Sequence, residues 1–180
     1  MIRLFLVIWI GLLVTGCYNP LNQVTANRYE QTCGEADASG HLEVAEEACR
    51  RAVINVRIGH LGGEAESQSL YNYARIKMQL GKHEEAEELY KESLKIEDAM
   101  TPPDQLKIGR RLTNLAIVMG NQYRFKDAWP YLTRLVPMSD QYSGQERHIV
   151  KTVFERFAEE YRKMDMKIEA AQLLEKAKSL

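Results

Sequence analysis

LYNYARIKMQLGKHEEAEELYKESLKIEDAMTPPDQLKIGRRLTNLAIVM, residues 70–119, is the stretch whose reading decides the fold. Its apolar residues recur every three or four positions, as on one face of a helix, and nowhere alternate as in a half-buried strand. Within it KHEEAEELYKES (82–93) places small Ala86 four residues before Tyr90, with Ser93 three further on. Three other segments align with it: HLEVAEEACRRA (41–52), RFKDAWPYLTRL (124–135) and MKIEAAQLLEKA (166–177). Their packing triplets are Ala45/Cys49/Ala52, Ala128/Leu132/Leu135 and Ala170/Leu174/Ala177, and the leading alanines lie 41, 42 and 42 residues apart. So regular a period marks internal repeats.

Upstream of each triplet lies a second helical segment, whose small residue (Cys33, Ala74, Ala116 or Ala158) stands twelve before the leading alanine. Gly40 and Gly81 sit five before their alanines, where a helix ends and the chain reverses, and glycine suits that left-handed position. Tyr123 and Asp165 occupy it in the last two repeats and fit it less well. The spacing therefore predicts about four antiparallel helix pairs.

The pattern resembles the tetratricopeptide repeat, and its 42-residue period is similar to the longer variant of kinesin light chains. Pro103-Asp104 matches the start of that variant's next long helix, and Asn72 and Asn114 match its recurrent asparagine. The resemblance covers residues 26–180, is strongest in the middle two repeats, and weakens in repeat one, which has Gly34 inside its first helix. It implies an all-α, right-handed solenoid whose neighbouring pairs bury each other's apolar stripes.

Before the repeats stands MIRLFLVIWIGLLVTGC. The apolar run from Leu4 to Val14 spans about 16 Å as a helix, short of a hydrocarbon core of about 30 Å. A basic start, an apolar middle and small residues before a cut read as a signal peptide over 1–16. Val14-Thr15-Gly16-Cys17 resembles the bacterial lipobox, which implies that Cys17 becomes the first residue of the mature protein and carries diacylglycerol and fatty acyl chains such as palmitate. Residues 17–25 are then the lipidated cysteine and a tether. Tyr18 in place of Asp resembles lipoproteins of the outer membrane, with the domain facing the periplasm.

Composition narrows the function. Lys and Arg total 24 against 25 Asp and Glu, without the basic excess of a nucleic-acid binder. With 45% hydrophobic residues the chain supports a core. Four histidines share no metal-binding spacing, no CxxC pair or acidic calcium loop occurs, and Gly59-His60-Leu61-Gly62-Gly63 lacks the context of a phosphate cradle. No metal, cofactor or catalytic residue is expected, and the chain reads as a binder rather than an enzyme.

Solenoids bind peptides along the groove formed by their first helices. Helical spacing places Tyr71, Asn72 and Arg75 of repeat two there, with Arg110, Asn114 and Ile117 of repeat three. Thr113 belongs to the same face, and in repeat four so do Glu155, Glu159, Arg162 and Lys163. Amides offer a donor and an acceptor to an extended peptide, and arginines pair with carboxylates. The expected function is a membrane-anchored adaptor binding an envelope protein or peptide. The alternatives are a module for a small ligand or cell-wall fragment, using Tyr71 and Trp129, and a structural homodimer joined through repeat four. In an oxidising compartment, Cys33 and Cys49 are expected to form a disulfide, because the register places them opposite each other across the turn at Gly40.

Overall fold

The computed structural model describes residues 19–180, so the expected signal peptide (1–16) and Cys17 lie outside the described residues. Among the described residues the regular structure is helical, with no strand. The helices pair as expected: α1 (Pro20–Ala38) with α2 (Leu42–Ile58), α3 (Gly63–Gln79) with α4 (His83–Ala99), α5 (Gln105–Asn121) with α6 (Trp129–Leu135), and α7 (Gly144–Lys163) with α8 (Lys167–Ser179). α1 starts inside the segment 17–25 read as a tether. Proline's fixed φ suits the first helical position, and the Asn19 side chain caps the helix by accepting from the Leu21 amide at 3.0 Å.

Each pair turns by the same hydrogen bonds. The amides of His41, Lys82, Arg124 and Met166 donate to the carbonyls of Ala36, Lys77, Met119 and Tyr161 at 2.8–2.9 Å. The residue before each donor is left-handed: Gly40 (φ 74°), Gly81 (72°), Tyr123 (59°) and Asp165 (60°). This is the glycine-type helix stop, kept in all four repeats even where no glycine is present. Five residues later Ala45, Ala86, Ala128 and Ala170 are buried at the helix crossings. Asp104 caps α5, as the Pro-Asp signal predicted, by accepting from the amides of Leu106 and Lys107.

The period extends to the charges that join neighbouring repeats. Asp98 pairs with Arg134, and one period on Asp140 pairs with Lys176 at 2.6 Å. One period earlier the polarity is reversed, with Arg57 holding Glu92 at 2.7 Å. A repeat one stacked on repeat three would therefore set Arg57 against Arg134. The inversion favours the native order of repeats.

Repeat three departs from the pattern. Its second helix is cut to seven residues by Pro130 at its start and Pro137 beyond it, with 3-10 turns at Lys126–Ala128 and Val136–Gln141. The neighbouring first helices shift as well. Contacts from α3 to α5 join residues 43 or 44 apart (Tyr71–Asn114, Ser67–Arg111), whereas Arg110–Glu146 and Gly120–Arg156 join α5 to α7 at 36. That difference of seven or eight residues amounts to about two helical turns.

The main core runs through repeats two to four around Tyr90, Leu112, Leu115, Phe154, Phe157 and Tyr161. A separate small cluster holds repeat one on α3, built of Cys33, Ala36, Ala45, Ala48, Cys49 and Ile76. Side chains this small bury little apolar area, and beyond them repeat one adds only Ala26, Ala52, Val53 and Val56 to its buried apolar residues. The sulfurs of Cys33 and Cys49 are joined there, with their Cα atoms 5.2 Å apart.

Candidate functional site

A cleft of about 190 Å³ opens where α3, α5 and the start of α7 meet. Tyr71 and Arg75 of α3 and Arg110, Thr113 and Asn114 of α5 line it, so four of the six groove residues chosen from the sequence converge here. Tyr142, Glu146, Ile149 and Val150 complete the wall.

The floor is rigid. Tyr71 lies over the guanidinium of Arg111, 4.7 Å from its ring centroid, and packs tilted on Tyr90 at 5.7 Å. Arg111 is buried, and burial pushes its pKa down. Its Nη2 lies 3.1 Å from Glu97 Oε1, its Nε donates to Ser93 Oγ at 2.9 Å, and its Nη1 donates to the Lys107 carbonyl at 3.0 Å. Ser67 Oγ donates to the same Glu97 oxygen at 2.8 Å. Ser93 is thus buried as the repeat register required, but within a polar cluster.

Above that floor the rim is charged. Arg110 forks onto Glu146, Nε to Oε1 at 2.6 Å and Nη2 to Oε2 at 3.1 Å, and this pairing raises the arginine's pKa. Arg75 Nη2 donates to Asp37 Oδ2 at 3.0 Å. Asn114 Nδ2 donates to the Tyr71 hydroxyl at 3.2 Å and to the Arg110 carbonyl at 2.9 Å, leaving Oδ1 with no partner among the described residues. Ile149 gives the cleft an apolar lip, 41% exposed. Arg110 and Glu146 are about two-fifths exposed, so solvent reaches the pair.

Two sequence choices are corrected. Asn72 turns toward repeat one, where its Nδ2 donates to Glu30 Oε2 at 2.8 Å and its Oδ1 accepts from Gln68. Ile117 packs half-buried against the main core and does not line the cleft. The arginines expected to await a ligand's carboxylate already hold carboxylates of this chain. In repeat four the register pointed to Glu155 and Glu159, but the two-turn shift brings Glu146, Ile149 and Val150 to the cleft instead. The available signal was Gly109, a glycine inside a helix, which marks a close approach. Trp129 packs edge-on to Tyr161 at 5.7 Å and does not share the cleft with Tyr71.

Stacked helix pairs with a groove along their first helices define a helical repeat scaffold. The tetratricopeptide repeat family model matches residues 67–99, from the second turn of α3 to the end of α4. BtubC (BKLC) from P. vanneervenii shares the fold, with a TM-score of 0.74 and 17% identity over 88% of this chain and 63% of that one. A kinesin-light-chain-type protein of Podosopora anserina with nearly identical TPR-like repeats superposes at a TM-score of 0.65 and 18% identity, over 86% of this chain and 74% of its own. The chain thus spans less than two thirds of the length of BtubC. No curated protein matches it.

Proposed function

We propose that the protein is a bacterial envelope adaptor, held at a membrane by acyl chains on Cys17, that seats a peptide segment of another protein in the cleft between α3, α5 and α7. The observation that carries the binding reading is the exposed Arg110–Glu146 fork beside an apolar lip. A partner's carboxylate can take the place of Glu146 on Arg110 while its apolar side chain enters between Tyr71 and Ile149. Asn114 Oδ1 then accepts one backbone amide of the segment. The volume supports a side chain over a larger ligand, because sites for drug-sized molecules occupy about 300–1,000 Å³. Tyr18 and the lipobox-like run support an outer-membrane anchor with the domain in the periplasm.

The test is crosslinking in the envelope followed by affinity capture, comparing wild type with Arg110→Ala/Ile149→Asp. Both residues are partly exposed, so the melting temperature should stay near wild type while capture of the partner is lost. Undiminished capture would place the binding site elsewhere. Labelling with a fatty-acid analogue tests the anchor, and Cys17→Ala should remove the label and release the domain from the membrane fraction.

A further inference from the structure

We infer that the outer face of repeat one, at the end where the chain enters the domain, rests on a lipid surface. This depends on the acylation of Cys17 proposed above.

An end repeat of a solenoid stays soluble by showing a polar outer face. Repeat one shows the opposite: Leu21, Val24, Ile54 and Ile58 are 76%, 51%, 38% and 63% exposed. One period on, the same register positions hold Gly62, Ala65, Lys95 and Ala99, so large apolar side chains are not a requirement of the repeat. These four are gathered at one end, and the repeat's other exposed large apolar residue, Val44, stands apart in the first turn of α2. Leu21 and Val24 lie in the first two turns of α1, and Ile54 and Ile58 in the last two of α2. Those turns adjoin, since the Asn19 amide donates to the Gly59 carbonyl at 3.1 Å and the β-carbon of Asn22 stands against Gly59. Nor does α3 cover them, because α1 reaches α3 through Glu30 and Asp37, on the opposite side of the helix from Leu21.

Chain length selects the occupant. Only Tyr18 separates Cys17 from Asn19, so the two Cα atoms lie within about 8 Å of each other. With its acyl chains in a bilayer, Cys17 holds the start of α1 at the headgroups, the depth at which apolar faces of interfacial helices sit. Leu21 then follows within about one turn of the anchor. Arg28 lies two turns further along the same stripe and is exposed, placed for lipid phosphate.

The experiment uses the full chain, expressed in a bacterium and purified from membranes into vesicles of phosphatidylethanolamine and phosphatidylglycerol. An Ile58→Cys variant carries a single reactive thiol, given the Cys33–Cys49 bond and an acylated Cys17, and takes an environment-sensitive fluorophore. A Lys95→Cys variant places the same probe at the repeat-two position equivalent to Ile54, one turn before that of Ile58. Brominated lipids should quench the probe at 58 and leave the one at 95 unchanged, and Leu21→Asp/Val24→Asp should abolish the quenching while the protein still floats with vesicles. An acylated, floating protein whose probe at 58 is unquenched overturns the lipid face alone. A blue-shifted but unquenched probe assigns the face to a second copy or to residues 4–14, which also overturns it. An N-terminal peptide without acyl mass overturns the anchor and this inference together.

Discussion

The hydroxyl of Tyr142 fills the space that a β-carbon on Gly109 would need, and from there it donates to the Leu106 carbonyl at 3.1 Å. That contact locks the segment before α7 onto α5 and sets the wall of the cleft. Alanine exceeds glycine by about 1 kcal/mol in a helix interior, but forcing Tyr142 aside costs about 1–3 kcal/mol, so Gly109→Ala should destabilise. Gly109→Ala/Tyr142→Phe removes the clashing oxygen and should recover part of the loss. Urea unfolding of the two single variants and the double gives the coupling, and additive effects would contradict the contact.

The buried Arg111–Glu97 pair gives a second prediction. Removing one partner strands the other charge away from water, and Glu97→Gln or Arg111→Met should each cost about 3–5 kcal/mol. Replacing both with apolar residues should be far milder than the sum. With Glu97 gone, the Ser67 hydroxyl turns its one proton to the Ser93 carbonyl, 3.1 Å away, while Ser93 Oγ donates to the Ser67 carbonyl at 2.8 Å. Denaturant melts of the three variants check the order.

Much of this was readable from the sequence because the interactions repeat with the period. The turn at Gly40 recurs at Tyr123, and the crossing alanines recur at 45, 86, 128 and 170. The groove face of α3 and α5 followed from helical spacing, which brought Tyr71, Arg75, Arg110 and Asn114 to one place. What the period could not carry was the stagger between helices of different repeats. Pro130 and Pro137 cut α6 short, and the displacement of α7 depends on how Tyr142 and Phe157 seat against Gly109 and Gly120. Charge pairing escaped for a related reason. Arg110 and Glu146 are far apart in sequence, and only the stagger shows that they meet.

Tyr123 adopts φ 59° with its side chain 85% exposed, at the position where repeats one and two have glycine. A side chain in the left-handed region carries about 1 kcal/mol of strain that glycine avoids. The ring's edge contact with Phe125, at a centroid distance of 6.3 Å, offsets part of it. Tyr123→Gly should therefore raise stability by up to about 1 kcal/mol, read as a higher urea midpoint at unchanged slope. A lower midpoint would mean that the aromatic contact outweighs the strain.

Acid should weaken the stack at the junctions of repeats one to three. Burial would raise the pKa of Glu46, but hydrogen bonds from Lys77 and Lys82 at 2.5–2.7 Å bring it below 4.5. Glu87 is held down in the same way by Lys91 and Arg124. A carboxylate whose folded pKa is depressed contributes stability that is complete above its unfolded pKa and is lost as pH falls through the folded value. Thermal stability should accordingly hold level down to about pH 5 and decline below 4.5. Glu46→Gln/Glu87→Gln should be less stable at neutral pH and show a shallower decline below 4.5. A decline as steep as that of wild type would assign the acid sensitivity to other groups.

Repeat one should depend on its cysteine pair more than on its packing. The cluster between α1 and α2 is built of alanines and the two cysteines, and it meets repeat two at Tyr73, Ile76 and Leu80. A bond closing a loop of 16 residues contributes about 3 kcal/mol in the chain-entropy model, a large share of what a single weakly packed helix pair can hold. Reduction, or Cys33→Ala/Cys49→Ala, should therefore loosen α1 and α2 first while α3 to α8 stay folded. Native-state hydrogen exchange resolves the two regions: amides of 20–58 should lose protection under reductant, and those of Tyr90, Leu115 and Phe157 should keep it. Uniform loss of protection would show that the repeats unfold as one unit. Unchanged protection, or two thiols that alkylate when the unreduced protein is unfolded, would show that the cysteines act as small apolar fillers.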